Sequence, residues 1–394
     1  MTQPSSDRRS RTKSTYAYYL AFIGLGLVTA VLGPALPALA ELTQTSFSQI
    51  SLLFTARALG YLLGSLIGGR LIDRLAGHRV MAAALVGLGV TLLLTPNNSL
   101  LWVLSVVIGF TGLFQGIVDV GGNTLIVWVH GDQVGPYMNG LHMFYGIGTF
   151  LAPIIIAQAA LVSGSVAWGF WTIAVIVGLS AAQLFFIPSR PIPEVKPDDY
   201  SKRTNLYIVF LAATFLFCYS SMANIFGGWI YSYVVSLKLA SETQAAYLTS
   251  TFWGVFTLGR LISIPIAFRS KPGAILLADL LGCTLSLGLI LSSPTSITLI
   301  WIGSAGLGLS AASLFPTTVT LVKQRTEITG KVSSRFVLGS ALGAMIPPWL
   351  VGQLFESIGP QIVILSVLVP LLVAFPVFAA LYYQTKPREK LQSL

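Results

Sequence analysis

Apolar runs of roughly twenty residues or more recur from one end of this chain to the other, parted mostly by short polar breaks. A run of that length crosses ~30 Å of hydrocarbon as a helix. A helix is also the one open-ended structure that satisfies all of its own backbone groups in lipid. Only 9% of the 394 residues are charged, against about 25% in an ordinary soluble domain. Such a chain cannot build a water-facing surface, so the expected fold class is an all-α membrane protein.

Twelve transmembrane helices are predicted, over residues 16–40, 47–72, 79–95, 99–129, 137–162, 166–187, 205–237, 244–268, 272–293, 295–322, 332–356 and 360–383. Turn-like breaks such as TPNNS, HGDQVGP, SGS and SSPTS separate them. One longer polar break, PSRPIPEVKPDDYSKRTN, holds four prolines and mixed charge and reads as an extended linker. The expected organisation is an N-terminal tail (1–15), a six-helix bundle (16–187), a linker (188–204), a second six-helix bundle (205–383) and a C-terminal tail (384–394). The apolar run after the basic tail is longer than a signal-peptide core and carries no convincing cleavage site, so a retained first helix is expected.

Lysine and arginine set the orientation. All but Arg57, Lys238 and Arg260, that is 20 of 23, fall on one side if the helices alternate in direction. The positive-inside rule then places both termini and the linker in the cytoplasm, with the plasma (inner) membrane as the expected location. The net charge of +10 is spread between apolar runs, not gathered on one face, so no nucleic-acid partner is expected. Cys218 and Cys283 lie inside apolar runs and read as small core residues. His78 and His130 fall in turns and read as solvated.

Three charges are placed inside spans: Arg57 in helix 2, Asp119 in helix 4 and Arg260 in helix 8. A charge at the bilayer centre costs ~2.5–3.5 kcal/mol on insertion scales, so each must face a protein interior or a wet cavity. For Asp119 three readings stand: an ion pair locking two helices, with Arg57 a candidate partner; a protonation, cation or substrate site; or a residue near the helix end that simply reaches water. Gln115, Asp119 and Asn123 recur at i, i+4 and i+8 and form one polar stripe. Gly112 and Gly116 form a small-xxx-small pair suited to close helix packing. His142, at a helix end, is either a proton relay or a hydrogen-bonding packing residue. Trp229 and Asn224 lie deepest in helix 7, Trp229 as a stacking face for a sugar ring and Asn224 as a hydrogen-bonding group. Arg260 suits an anionic or hydroxylated solute, or a carboxylate across the cavity. No metal-ligand spacing, phosphate-cradling loop or nucleophile triad occurs, so neither an enzyme nor a cofactor is expected.

The break GGRLIDRLAGHRV, with Gly69, Asp73, Arg74 and Arg79, resembles the helix 2–3 loop motif of the major facilitator superfamily, G-x-x-x-D-R-x-G-R-K. Ala76 is an extra residue between Leu75 and Gly77, and His78 stands where arginine is usual. The D-x-G-G-N element (Asp119, Gly121, Gly122, Asn123) and the P-x-M-x-x-L-H element (Pro136, Met138, Leu141, His142) resemble the branch containing sodium-dependent glucose transporters, related to fucose:proton symporters. FGGWIYSYVV and FWGVFTLGRLISIP are similar to this branch as well; Asn224 stands where an acid is expected in it. The resemblance implies two pseudo-symmetric six-helix bundles, a central cavity lined by helices 1, 4, 7 and 10, and a loop motif that holds the outward-open state.

The function expected is alternating-access secondary transport: symport of a sugar-like small solute with a proton or sodium ion. Asp119 is the expected coupling group. Gln115, Asn123, His142, Asn224, Trp229, Arg57 and Arg260 are the expected substrate-binding set, and Gly69, Asp73, Arg74 and Arg79 the gate. The alternative is a proton-driven exporter of drugs or lipid-like amphiphiles. A receptor or scaffold fits poorly, for want of a soluble domain or long loop in this sequence. The expected partners are the solute and the bilayer, and the expected working unit a monomer.

Overall fold

The structure, a computed structural model, describes residues 5–188, 205–326 and 330–385. Most of the expected linker and C-terminal tail, with Arg190, Lys196, Lys202, Arg203, Lys386, Arg388 and Lys390, lies outside the described residues. Among the described residues every regular element is helical.

The first half runs α1 (Ser5–Ala30), α2 (Leu32–Thr43), α3 (Phe47–Ile50), α4 (Leu52–Ile72), α5 (Gly77–Leu94), α6 (Leu101–His130), α7 (Val134–Ser163) and α8 (Ala167–Phe185). The second runs α9 (Leu206–Ser236), α10 (Glu242–Arg269), α11 (Pro272–Ser292), α12 (Ile297–Ala311), α13 (Leu314–Lys323), α14 (Gly330–Ile358) and α15 (Ile362–Thr385). Among the described residues eleven spans are long and apolar enough to cross a bilayer, and the bent pair α1–α2 brings the number to twelve.

Local sequence accounts for the starts and breaks. Ser46 with Gln49, and Ser241 with Gln244, form capping boxes at α3 and α10. Span 1 bends by 50° between α1 and α2, where Pro34 has no N–H to return to the preceding turn. Span 10 breaks between α12 and α13 in the same way, just before Pro316. The expected N-terminal tail is helical from Ser5, because its arginines and lysine are good helix formers and extend α1 beyond its apolar part.

Spans alternate in direction. Thr15 on α1 meets His130 at the end of α6 at 2.7 Å, and Arg325 after α13 meets the Thr385 carbonyl at the end of α15. These residues mark one face of the molecule, here termed the termini face. The tightest helix pair joins α4 to α6. A Cβ on Gly112 would sit 2.8 Å from the Arg57 carbonyl carbon and 2.9 Å from the Tyr61 nitrogen, so glycine is required there.

The two bundles meet along α7 with α10 and α4 with α14. On the far face they are sealed. Ser48 donates to Gln353 at 2.7 Å, Gln353 donates back to the Ser48 carbonyl at 2.7 Å and to Ser51 at 3.2 Å, and the Phe47 amide donates to Glu356 at 2.8 Å. Beneath these bonds Trp229 packs among Phe47, Phe54 and Phe355.

Candidate functional site

A cavity of about 900 Å³ lies between the bundles. Its blind end sits at mid-span, against Thr29, Arg57, Gln115 and Asn224. Its mouth is framed by Asn139, Ala267, Ser270 and Thr320, close to the termini-face ends of α7, α10 and α13. No residue of the far-face seal lines it.

Asp119 is at the cavity wall. Its carboxylate accepts from the Tyr61 hydroxyl on one oxygen and from the Asn123 amide at 2.9 Å on the other. The Gly112 and Gly116 contact makes this possible by bringing α4 close enough for Tyr61 to reach across to α6. Arg57 does not pair with Asp119. Its guanidinium donates at 2.7 Å to the Thr29 carbonyl, near the C-terminal end of α1, where helical carbonyls lack partners and the helix dipole favours a cation. Gln115 donates to the Thr29 hydroxyl at 3.1 Å. Asn224 donates to the Ser220 carbonyl at 2.8 Å and to the Ser220 hydroxyl at 3.2 Å. Arg260 lies over the Phe256 ring, 4.7 Å from its centroid, and is within electrostatic reach of Asp119, His142 and Tyr145. The His142 ring meets the edge of Phe22.

The sequence pattern of the Major Facilitator Superfamily matches residues 18–346. The chain belongs to the major facilitator superfamily. It is similar to sodium-dependent glucose transporter 1 of Xenopus laevis, 32% identical over 358 residues, covering 83% of this chain and 73% of that one. In fold it is similar to the nucleoside transporter NupG, with a TM-score of 0.75 at 13% identity over 96% of this chain and 100% of that one. It is likewise similar to a D-xylose-proton symporter, with a TM-score of 0.74 at 13% identity over 93% and 97% of the two chains. This major facilitator superfamily protein is therefore an integral, multi-pass membrane transporter.

The superfamily fold gathers most of the residues singled out from the sequence. Asp119, Gln115, His142, Asn224, Arg57 and Arg260 all line the one cavity. Helices 1, 4, 7 and 10 contribute to its wall, as the resemblance implies, and so do 2, 5, 8 and 11. Asn123 stands behind the wall and orients Asp119.

Trp229 does not line the cavity. It is 0% exposed, and its indole N–H donates at 3.0 Å to the Pro348 carbonyl inside the far-face seal. Depth along helix 7 places Trp229 at mid-span, but its position five residues on from Asn224 puts it well round the helix from the cavity-lining face. His78 is not solvated: it is 1% exposed, 2.6 Å from the Tyr18 hydroxyl and 3.1 Å from the Ile187 carbonyl. His130 stacks on Tyr137 and bonds Thr15. Cys218 and Cys283 are buried and unpaired with each other.

The loop motif of this superfamily member lies away from the cavity. Gly69 is within α4, while Asp73, Arg74 and Arg79 are exposed at the termini face and form no ion pair among the described residues. Several residues, Tyr61, Tyr145, Asn139 and Asp279 among them, went unnoticed in the sequence. Tyr61, Tyr145 and Asn139 line the cavity, and Tyr61 sits one turn beyond Arg57 on the face already marked by that charge. Asp279 is a second lone acid within a span, half-buried on α11, and accepts from the Ser313 hydroxyl at the break of span 10. The feature that picks out Asp119, an acid isolated in an apolar run, picks out Asp279 equally.

Proposed function

We propose that this transporter carries a sugar-like small solute by ion-coupled symport, with Asp119 as the coupling group. The observation that carries the reading is the meeting of one embedded carboxylate with amide and hydroxyl side chains in a single cavity: Asp119 beside Gln115, Asn224, Ser220 and Ser340. Polyols are recognised by such convergent polar groups. The names of its relatives, a sodium-dependent glucose transporter and a D-xylose-proton symporter, support the same solute class and ion coupling. The coupling ion is a proton or sodium, and no other cofactor is needed. One chain encloses the whole cavity, which supports a monomeric working unit within the bilayer of a plasma or inner membrane.

With both termini in the cytoplasm, by the positive-inside rule, a cavity open to the termini face is the inward-open state. The loop motif then acts in the opposite state. Asp73, Arg74 and Arg79 are exposed when the termini face is open and bridge the bundles when it closes.

Reconstituted protein tests the coupling. With a proton or sodium gradient imposed, the wild type is expected to accumulate solute, while Asp119→Asn loses accumulation but keeps gradient-free counterflow. Undiminished accumulation by Asp119→Asn removes Asp119 from the coupling role. A second reading, export of amphiphiles, is favoured by the apolar stretch of α10 that lines the cavity, Leu261, Ile264, Ala267 and Phe268. Thermal shifts with sugars and with amphiphilic cations, at several pH values and with or without sodium, separate the two, because a ligand stabilises according to its concentration over its Kd.

A further inference from the structure

The charges on the cavity wall do not balance. Among the described residues that line it, the permanently cationic groups are Arg57 and Arg260, and the one acid is Asp119. Arg57 is compensated by backbone, through the Thr29 carbonyl at the end of α1. Asp119 has both oxygens occupied by neutral donors, Tyr61 and Asn123. Arg260 has the Phe256 face on one side and no carboxylate in ion-pair contact among the described residues. An embedded cation whose nearest carboxylate, Asp119, acts on it only at a distance is costly, and a guanidinium steadied over an aromatic ring presents its donor fork to the remaining space.

The neutral polar groups lean the other way. One N–H of the Gln115 amide goes to Thr29 and the Asn224 amide nitrogen donates to Ser220, while neither amide oxygen accepts a hydrogen bond among the described residues, which leaves both able to accept from a solute in the cavity these residues line. Acceptors of this kind suit sugar hydroxyls and repel a second anionic group. The Ser340 hydroxyl, on the same wall, is buried and has no hydrogen-bond partner among the described residues.

We propose that the solute is a monoanionic sugar acid, of the hexuronate class, whose carboxylate is received by Arg260 while its hydroxyls meet Gln115, Asn224 and Ser340. This deepens the sugar reading above and rests on it. Carboxylate and guanidinium match as a two-point pair. A sugar phosphate fits less well, because its second charge calls on Arg57, which the end of α1 already holds.

The test compares sugars in matched pairs on the purified full-length protein, by thermal shift and by counterflow in proteoliposomes. The pairs are D-glucose with D-glucuronate, D-galactose with D-galacturonate and D-mannose with D-mannuronate, and glucose 6-phosphate is a further arm. In at least one pair the uronate is expected to act at a concentration about tenfold or more below its parent hexose, as for a charge-assisted hydrogen bond. Arg260→Gln should bring that uronate back to the level of the hexose, with Arg260→Lys between the two. The wild-type comparison decides even if neither variant folds. Hexoses equal to or better than their uronates in every pair overturn the proposal and leave the sugar reading standing, and tightest binding of the phosphate overturns it in favour of a dianion. If no member of any pair binds while amphiphiles do, the sugar reading itself has failed and the proposal with it.

Discussion

Asp119 is served by two donors that differ in reach. Asn123 lies one turn along the same helix and follows Asp119 wherever α6 goes. Tyr61 comes from α4 and keeps its bond only while α4 and α6 hold their register. A hydrogen bond to a charged group contributes about 1.5–3 kcal/mol, so Tyr61→Phe should reduce gradient-driven accumulation by roughly tenfold or more. Exchange without a gradient should survive. Equal accumulation by Tyr61→Phe and wild type in the same vesicles would remove Tyr61 from the coupling assembly. The acid itself was legible from sequence, since nothing else in its run is charged. Its tyrosine partner was not, because the pairing depends on a glycine contact between helices that are far apart in the chain. Trp229 shows the same limit from the other side: a large aromatic at mid-span was visible, and which way it pointed was not.

At the scale of elements, spans 1 and 10 are both broken near the cavity, each just before a proline. At the first break the Thr29 carbonyl is met by Arg57. The second break carries Ser313, whose hydroxyl donates to Asp279 on α11. Beyond it, Phe315, Thr317 and Thr320 of α13 line the cavity, so the tie anchors the segment that forms the cavity wall. Removing one partner leaves the other half-buried in an apolar layer, at about 1–3 kcal/mol. Ser313→Ala and Asp279→Ala are therefore each expected to lower thermal stability, and the double variant to lose less than their sum. Strict additivity in that cycle would mean the two side chains do not work together. Helix number and alternation were legible because lipid enforces length and charge placement. The breaks were less so, since Pro34 and Pro316 sit in runs whose apolar pattern continues without interruption.

For the whole molecule, one closed face implies one open face, and the bonds on the closed face set the balance between states. The far-face seal is an aromatic cluster around Trp229 under a thin polar layer, in which Gln353 alone makes three of the bonds to α3 and its flank. Intramolecular hydrogen bonds contribute about 0.5–1.5 kcal/mol each in net terms, so Gln353→Ala weakens this state by ~2 kcal/mol, a population shift of roughly thirtyfold. The state closed at the termini face is open on the far face and does not hold these bonds, so it loses nothing by the substitution, and Asp73, Arg74 and Arg79, which make no ion pair among the described residues in the present state, remain available to close it. Loss of Gln353 should therefore move the protein toward closure of the termini face. A cysteine at Asn139, which lines the open cavity, reports this through its labelling rate with a water-soluble maleimide; Cys218 and Cys283 are buried and add little background. Labelling should slow in Gln353→Ala, and adding Asp73→Asn should restore it by weakening the opposite closure. If the rate at Asn139→Cys is the same with and without Gln353, the polar layer does not hold the far face shut, and the aromatic cluster must carry the seal unaided.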